Sequence, residues 1–476
     1  MGAASSQRDA EPVRSLDDLL EPFHSACKPT AQHRIGAEAE KIGLVRASDG
    51  SVTTLPYDGA PVSVLAVMRQ LVESHGWRYP DDASGPLLAL EKNGASVTLE
   101  PGGQLELSGA PLDDLHAVSA ELDAHADELH AVSDVLAAAH GARLDWFGIG
   151  FHPLATQADL PWVPKPRYGI MREYLPTRGA FGLDMMRRTA TVQANFDYPS
   201  EEYAMRCLRF GLRFAPFFAA LFANSPFIEG APFGGLSYRA RVWLDVDPDR
   251  QGLVPRVLDE KSTFADYVEW VLDAPMFLLL REGAVVKNTG QTFRDLMKNG
   301  FTAPGSDVTE RANYGDWITH LNTMFPEVRL KRTLEVRGGD SLPPALVPGP
   351  AALFAGLFYD ERALAEAEDV VAGFAFEELQ ALRVAVVQDG PRAPFRGRPC
   401  GEVTARIVDI ASHGLERRAR SGGGHPDERR FLAPVMELAS SLRCPADALL
   451  QAYERHREKL PSAQAVVAAS LEICRL

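Results

Sequence analysis

This chain has little cysteine, no long apolar run and no block of basic residues, and each shortage removes a class of protein. Five cysteines in 476 residues, Cys27, Cys207, Cys400, Cys444 and Cys474, are an odd number without CxxC spacing. That excludes a disulfide framework or a structural zinc site and points to a reducing compartment. The expected location is cytoplasmic. The longest apolar stretches, such as residues 214–223, fall short of the roughly 20 residues that cross a bilayer. Residues 1–12 are small and polar, so no secretory leader is expected. The formal net charge is −15, and Arg417, Arg418 and Arg420 form only a short basic cluster. Phosphate-backbone affinity needs clustered Lys and Arg, so nucleic acid is excluded as the main partner. No Walker A sequence, no GxGxxG after a strand, no internal repeat and no βαβ rhythm is present. These absences argue against a doubly wound sheet and for an α+β fold, an antiparallel sheet with segregated helices.

What remains is the composition of a globular protein, 46% hydrophobic and 24% charged. Residues 1–13 read as a disordered tail and 14–476 as one domain, mostly helical over 351–476. Ser15 with Asp17 and Asp18 reads as a capped helix start. Apolar spacing predicts helices over 62–75, 112–140, 201–223, 264–271, 293–299 and 316–325. Alternation predicts strands over 34–45, 148–153, 189–198, 238–245 and 328–338, with a meander over 87–107. Residues 162–178 read as a loop over the site, and 420–427 as a flexible loop. His116, His125 and His130 lack paired metal spacing and read as solvated side chains of the long helix.

Six stretches carry chemistry. Glu38 and Glu40 are two residues apart, so a strand puts both on one face, where like charges need a cation or solvent between them. Glu100 and Glu106 flank a Pro-Gly-Gly break between two strands and repeat the theme. Oxygen ligands of this kind suit magnesium, which recruits phosphates as further ligands. Read as one strand, 328–338 places Lys331, Thr333, Glu335 and Arg337 on one face, suited to a triphosphate bound through magnesium. A salt-bridged solvent face is the competing reading. Thr191, Gln193, Asn195 and Asp197 form an amide-rich face, either for a ligand or for solvent. Residues 166–172 and 237–243 concentrate Arg and aromatic residues, suited to bidentate capture of a substrate carboxylate or, each taken alone, to a surface salt bridge.

Together these segments resemble plant-type glutamate–cysteine ligase, the form shared by plants and many proteobacteria. The carrying motifs are residues 35–43 (IGAEAEKIG), 97–111 (VTLEPGGQLELSGAP), 167–176, 182–197 (GLDMMRRTATVQANFD), 221–227 (LFANSPF), 236–243 (LSYRARVW) and 325–338 (FPEVRLKRTLEVRG). The resemblance implies a curved antiparallel sheet forming a funnel flanked by helices, as in glutamine synthetase-like carboxylate–amine ligases. It implies ATP-dependent joining of L-glutamate to L-cysteine, with ATP as co-substrate and two or three Mg2+ ions. By motif position Glu38, Glu40, Glu100, Glu106 and Glu335 hold magnesium. Gln193 and Asn195 lie beside metal and nucleotide, and the catalytic Lys331 and Arg337 meet phosphates. Arg167, Tyr168, Arg172, Arg239 and Trp243 bind glutamate. The implied protein is a monomer or weak homodimer without nucleic-acid or membrane partners. This chain departs from the family's IGTEHEKF at Ala37, Ala39 and Ile42, and from its GGPWRRL around 341–347. The positions of the plant regulatory cysteines correspond to Ser119 and about Pro348, so no equivalent redox switch is expected. A paralogue using another amine, and a non-catalytic protein on the same fold, are the alternatives. The second is disfavoured because all five candidate metal carboxylates are kept.

Overall fold

The computed structural model describes residues 7–80, 86–281, 284–420 and 427–476. Its centre is a nine-stranded sheet made of β1 (Ile35–Arg46), β2 (Val52–Thr54), β3 (Ala89–Lys92), β4 (Ala95–Leu99), β5 (Leu105–Ser108), β6 (Arg143–Phe147), β7 (Val192–Phe196), β8 (Val328–Leu330) and β9 (Leu334–Val336). The order runs β8-β9-β7-β1-β5-β4-β3, with β2 and β6 also on β1, and every pairing is antiparallel. The expected α+β class and the expected meander are both observed.

β1 is shared by two sets of partner strands. Ile35–Lys41 lies between β7 and β5, whereas Ile42–Arg46 pairs with β6 and, at its end, with β2. Gly43 sits in the second half, where a Cβ would come within 2.7 Å of Leu55 and 3.0 Å of Trp146.

Helices cover the back of the sheet. The longest, Leu115–His140, is capped by Asp114, which accepts from the Ala117 amide at 2.8 Å, and stops at Gly141 with φ +69°. Its Leu and Val stripe is buried, as the spacing predicts. His125 is buried too, edge-on to Trp77, and burial pulls its imidazole down to about 4. That corrects its reading as a solvated histidine. Helix Glu201–Leu221 buries Phe210, Phe214, Phe217 and Phe218, each worth roughly 1.5–3 kcal/mol of transfer free energy. Phe214 and Phe218 meet Phe354 of helix Gly349–Phe358. Among the described residues no helix is long and apolar enough to cross a membrane.

Five local expectations differ from the structure. The stretch 328–338 is a hairpin, because Lys331–Thr333 turns with the Lys331 amide donating to the Thr333 carbonyl at 2.9 Å. Residues 238–245 form a helix, Tyr238–Val242, because Ser237 caps it by accepting from the Ala240 amide at 2.9 Å. The supposed loop over 162–178 contains helix Pro166–Tyr174, with Pro166 at its first turn, where its missing N–H costs nothing. Residues 148–153 are not a strand: Gly148 and Gly150 pack where a Cβ would strike Leu342 and Asp340. Residues 7–13 are ordered, with Arg8 paired to Glu21 at 2.7 Å and the Val13 amide donating to Ala312 at 3.0 Å. In the expected loop 420–427, residues 421–426 lie outside the described residues.

Candidate active site

The front face of the sheet collects the acidic residues by register. Glu40 lies directly opposite Glu106, and Glu38 opposite Gln193 on one side and Ser108 on the other. Asn195 lies opposite Glu335, and Glu335 opposite Arg329. Period-two alternation then sends Arg329, Glu335, Asn195, Gln193, Glu38, Glu40, Glu106 and Thr98 to one side across six strands. Asn195 Nδ2 donates to Glu38 Oε1 at 2.9 Å, the Thr191 amide donates to Glu40 Oε2 at 2.9 Å, and Thr98 Oγ1 donates to Glu106 Oε2 at 2.6 Å.

The two ends of this face have opposite electrostatics. At the β1–β5 end, burial raises Glu38 to about 8, with the charges of Glu335 and Glu106 adding to it. Burial also pushes Glu40 well above the carboxylate range, with Glu100 and Glu106 contributing. At the β8–β9 end, burial alone would raise Glu335, but Arg329, Lys331 and Arg337 outweigh it and hold it well below that range. Glu335 is fully buried. Its Oε1 accepts from Arg329 at 2.7 Å and Arg337 at 2.6 Å, and its Oε2 accepts from Arg329 at 2.9 Å and Lys331 at 2.8 Å.

Glu100 opens the turn between β4 and β5. Its amide donates to the Gln104 carbonyl at 2.9 Å, and Gly103 closes the turn with φ +87°. The buried Gln104 side chain accepts from the Gly102 amide at 2.9 Å and donates to the Thr189 carbonyl at 2.9 Å, tying the turn to the segment that leads into β7. A Cβ on Gly102 would stand 2.3 Å from the Arg187 carbonyl oxygen. Gly102→Ala is therefore expected to cost about 1–3 kcal/mol through displaced backbone, read as a lower melting temperature. A melting temperature unchanged within a degree would count against this packing.

Basic groups rim the face. Tyr168 donates its hydroxyl to the Leu99 carbonyl at 2.9 Å, and the Arg167 guanidinium lies over the Tyr168 ring at 5.2 Å. Lys165 donates to the same carbonyl at 2.7 Å, and burial with the neighbouring Arg167 pulls it down to about 8. Arg239 spends Nη1 on the Gly338 carbonyl at 3.1 Å and Nη2 on the Arg337 carbonyl at 3.0 Å, with Trp243 beside it. Arg172 is exposed over the Trp162 ring at 4.8 Å and is not brought to the carboxylates.

Sequence reading passed over Arg329, Lys165, Gln104 and Asp340. Arg329 was hidden because a single strand keeps it six residues, roughly 20 Å, along the chain from Glu335, whereas the hairpin puts the two opposite each other. Asp340 is buried and accepts from the Asn224 amide at 2.7 Å, Ser225 Oγ at 2.6 Å and Ser237 Oγ at 3.0 Å, fixing the helix that bears Arg239.

Among the described residues no three His, Cys, Asp or Glu side chains are already gathered as a metal-binding set. The donor chemistry nonetheless fits a hard cation. Glu40 and Glu106 are buried carboxylates with the half-buried Glu38 on the same face, and Gln193 Oε1, a buried carbonyl oxygen there, has no hydrogen-bond partner. As it stands, Glu335 has its oxygens filled by three cationic side chains.

Comparison with known proteins then decides the family. The family model described as Glutamate-cysteine ligase family 2 (GCS2) matches residues 34–468. The chain belongs to this glutamate–cysteine ligase family. The chloroplastic glutamate–cysteine ligase of Medicago truncatula is 38% identical over 93% of this chain and 82% of its own. The chloroplastic enzyme B of Oryza sativa subsp. japonica is 39% identical over 93% and 85%, and that of Arabidopsis thaliana 38% over 93% and 80%. Among solved structures, the complex of the prokaryotic ubiquitin-like protein Pup with its ligase PafA aligns at TM-score 0.45 and 11% identity, over 93% of this chain and 74% of that one. The cytoplasmic location expected from the sequence is overturned by these ligase relatives, which are named chloroplastic. Five free cysteines fit any reducing compartment.

Proposed function

We propose that this chain joins the γ-carboxylate of L-glutamate to the amine of L-cysteine, converting ATP to ADP and phosphate through γ-glutamyl phosphate and yielding γ-glutamylcysteine for glutathione synthesis. The observation that carries this reading is the sheet face itself. At one end lie carboxylates that, among the described residues, form no ion pair, and at the other a three-cation cluster on one glutamate. Residues 14–476 work as one catalytic domain, as a monomer or weak homodimer.

The chemistry needs no protein nucleophile. The γ-carboxylate oxygen takes the γ-phosphoryl group. The amine then attacks the acyl carbon, a C–N bond forms, and the C–O bond to phosphate breaks. Because negative charges crowd together at the phosphoryl group, the side chains must neutralise and orient them. Lys331 and Arg337 take phosphate oxygens, and Gln193 and Asn195 fix the nucleotide end of the face. Arg167, Tyr168, Arg239 and Trp243 hold glutamate, joined by Arg172 once it leaves Trp162. Glu38, Glu40, Glu100, Glu106 and Glu335 would hold two or three magnesium ions. Bound magnesium supplies charge neutralisation at the β- and γ-phosphates.

A second amine acceptor is favoured by one observation. Ser341, the first residue of the stretch that departs from the family pattern, donates its hydroxyl to the Glu40 carbonyl at 2.6 Å, so that stretch backs directly onto the site. ADP release in magnesium with glutamate and a panel of amines tests both readings. Release with cysteine is expected. Release only with another amine assigns a paralogous ligase, and no release with any amine overturns catalysis.

A further inference from the structure

Behind the carboxylate face a cavity lies between β1, helix Leu115–His140 and the segment that follows β9. Lys41 enters it from β1, because alternation on the strand sends this side chain to the face opposite Glu38 and Glu40. Lys41 is 4% exposed, and its Nζ donates to the Ala39 carbonyl at 2.9 Å. Among the described residues it forms no ion pair. An ammonium has three donors and a full charge; one donor is used here and the charge is unanswered. Buried charges are costly unless they are paired. The other walls are apolar, with Leu122 and Ala126 on the helix and Leu342, Val347 and Pro348 on the segment after β9. Two acids also line the cavity. Asp123 is exposed and accepts from Ser119 Oγ at 3.4 Å. Glu40 turns its carboxylate to the front, where Oε2 accepts from the Thr191 amide at 2.9 Å. The wall after β9 is anchored at Ser341, whose amide donates to the Ala190 carbonyl at 2.9 Å and whose hydroxyl donates to the Glu40 carbonyl at 2.6 Å. Leu342 and Val347 belong to the stretch where this chain departs from the family pattern, so the cavity is a feature of this chain.

One buried cation among apolar walls selects its complement. A neutral ligand leaves the ammonium unpaired, and a cationic ligand is repelled. A strongly hydrated inorganic anion would lose its water against hydrocarbon with a single charge in return. An acid with an apolar body answers both features, through a charge-assisted hydrogen bond at one end and burial of hydrocarbon at the other. We propose that this cavity is a second ligand site, separate from the carboxylate face, that takes a short aliphatic monocarboxylate. Its carboxylate meets Lys41 Nζ, and its hydrocarbon lies against Leu122, Ala126, Leu342 and Val347. The site touches the reaction face only through the backbone of β1, one residue from Glu40 and by way of the Ser341 hydroxyl on the Glu40 carbonyl. The proposal goes beyond the ligase reading and does not depend on it.

Saturation-transfer NMR titrations of acetate, butyrate, 1-butanol and n-butylammonium into the full chain test it. They are run with saturating L-glutamate, magnesium and a non-hydrolysable ATP analogue, so that the substrate face is occupied. Butyrate is expected to bind the wild type in the millimolar range, more tightly than acetate, with neither butanol nor butylammonium binding comparably. Lys41→Met is expected to weaken butyrate at least tenfold. Ala126→Leu keeps Lys41 and fills the apolar end, so it is expected to weaken butyrate at least tenfold while leaving acetate within twofold. Where Lys41→Met fails to fold, the Ala126→Leu split between butyrate and acetate decides. Butyrate affinity within twofold of wild type in both variants overturns the site. So does equal binding of butanol or butylammonium, which denies the role of the ammonium. Butyrate that binds the free protein but is displaced by glutamate belongs to the substrate face and overturns a second site. No binding of butyrate by the wild type overturns it outright.

Discussion

Glu335→Gln lowers turnover by about two to three orders of magnitude, the loss typical of removing one preorganised charge from a reacting centre. It also lowers the melting temperature. The carboxylate is fully buried and holds Arg329, Lys331 and Arg337 together. An amide keeps the shape but not the charge, leaving three cations that repel one another. Breaking a buried pair by removing one partner costs about 3–5 kcal/mol. The same imbalance predicts a rescue: millimolar inorganic triphosphate, supplied without metal, raises the melting temperature of the variant more than that of the wild type. Folded state is followed by circular dichroism and turnover by ADP release. Near-wild-type turnover would refute the role of Glu335, and equal stabilisation of both proteins by triphosphate would refute the charge argument.

What the sequence revealed, and what it hid, follows from the range of the interactions. The turn at Pro101-Gly102-Gly103 was readable because its signal is local: a glycine at positive φ between two alternating strands. Glu38 and Glu40 were readable as a pair because alternation on one strand needs no knowledge of its neighbours. Their pairing with Glu106 and Gln193 depends on register between strands distant in sequence, and only the family resemblance gathered those residues. The hairpin at Lys331 misled the reading because its turn carries neither glycine nor proline, and alternation continues across it by coincidence. Helix Tyr238–Val242 failed for a related reason: five residues are too few to separate a period of two from one of 3.6, so the Ser237 cap was the better signal. Asp340 was invisible because its donors, Asn224, Ser225 and Ser237, come together only once the sheet and helix are assembled.

Magnesium dependence steepens sharply with acidity. Burial and the like charges of Glu335 and Glu106 raise Glu38 from its usual 4.5 to about 8, and Glu40 is raised as well. At neutral pH the metal-free face therefore carries protons that a cation must displace, because ligands bind deprotonated. Displacing one proton makes affinity fall about tenfold for each pH unit below the raised value. The half-saturating magnesium concentration is expected to rise about a hundredfold from pH 8 to pH 6, and more steeply if Glu40 gives up a second proton. The sign for stability follows from the same shift. A carboxyl that holds its proton more tightly when folded stabilises the fold below the unfolded value, and that contribution is lost as pH climbs through about 8. Glu335, held well below the carboxylate range, acts in the opposite sense, its contribution being present above the unfolded value and lost as acid protonates it. The melting-temperature gap between magnesium-loaded and magnesium-free protein should therefore widen from pH 6 to pH 8.5. Magnesium titrations of activity and of thermal unfolding at stepped pH read both effects. Glu38→Gln, which removes the displaced proton, should flatten the activity profile below pH 8 even where it weakens binding. A half-saturating concentration that stays level between pH 6 and pH 8 in the wild type would mean that the buried carboxylates are not the groups the metal must deprotonate.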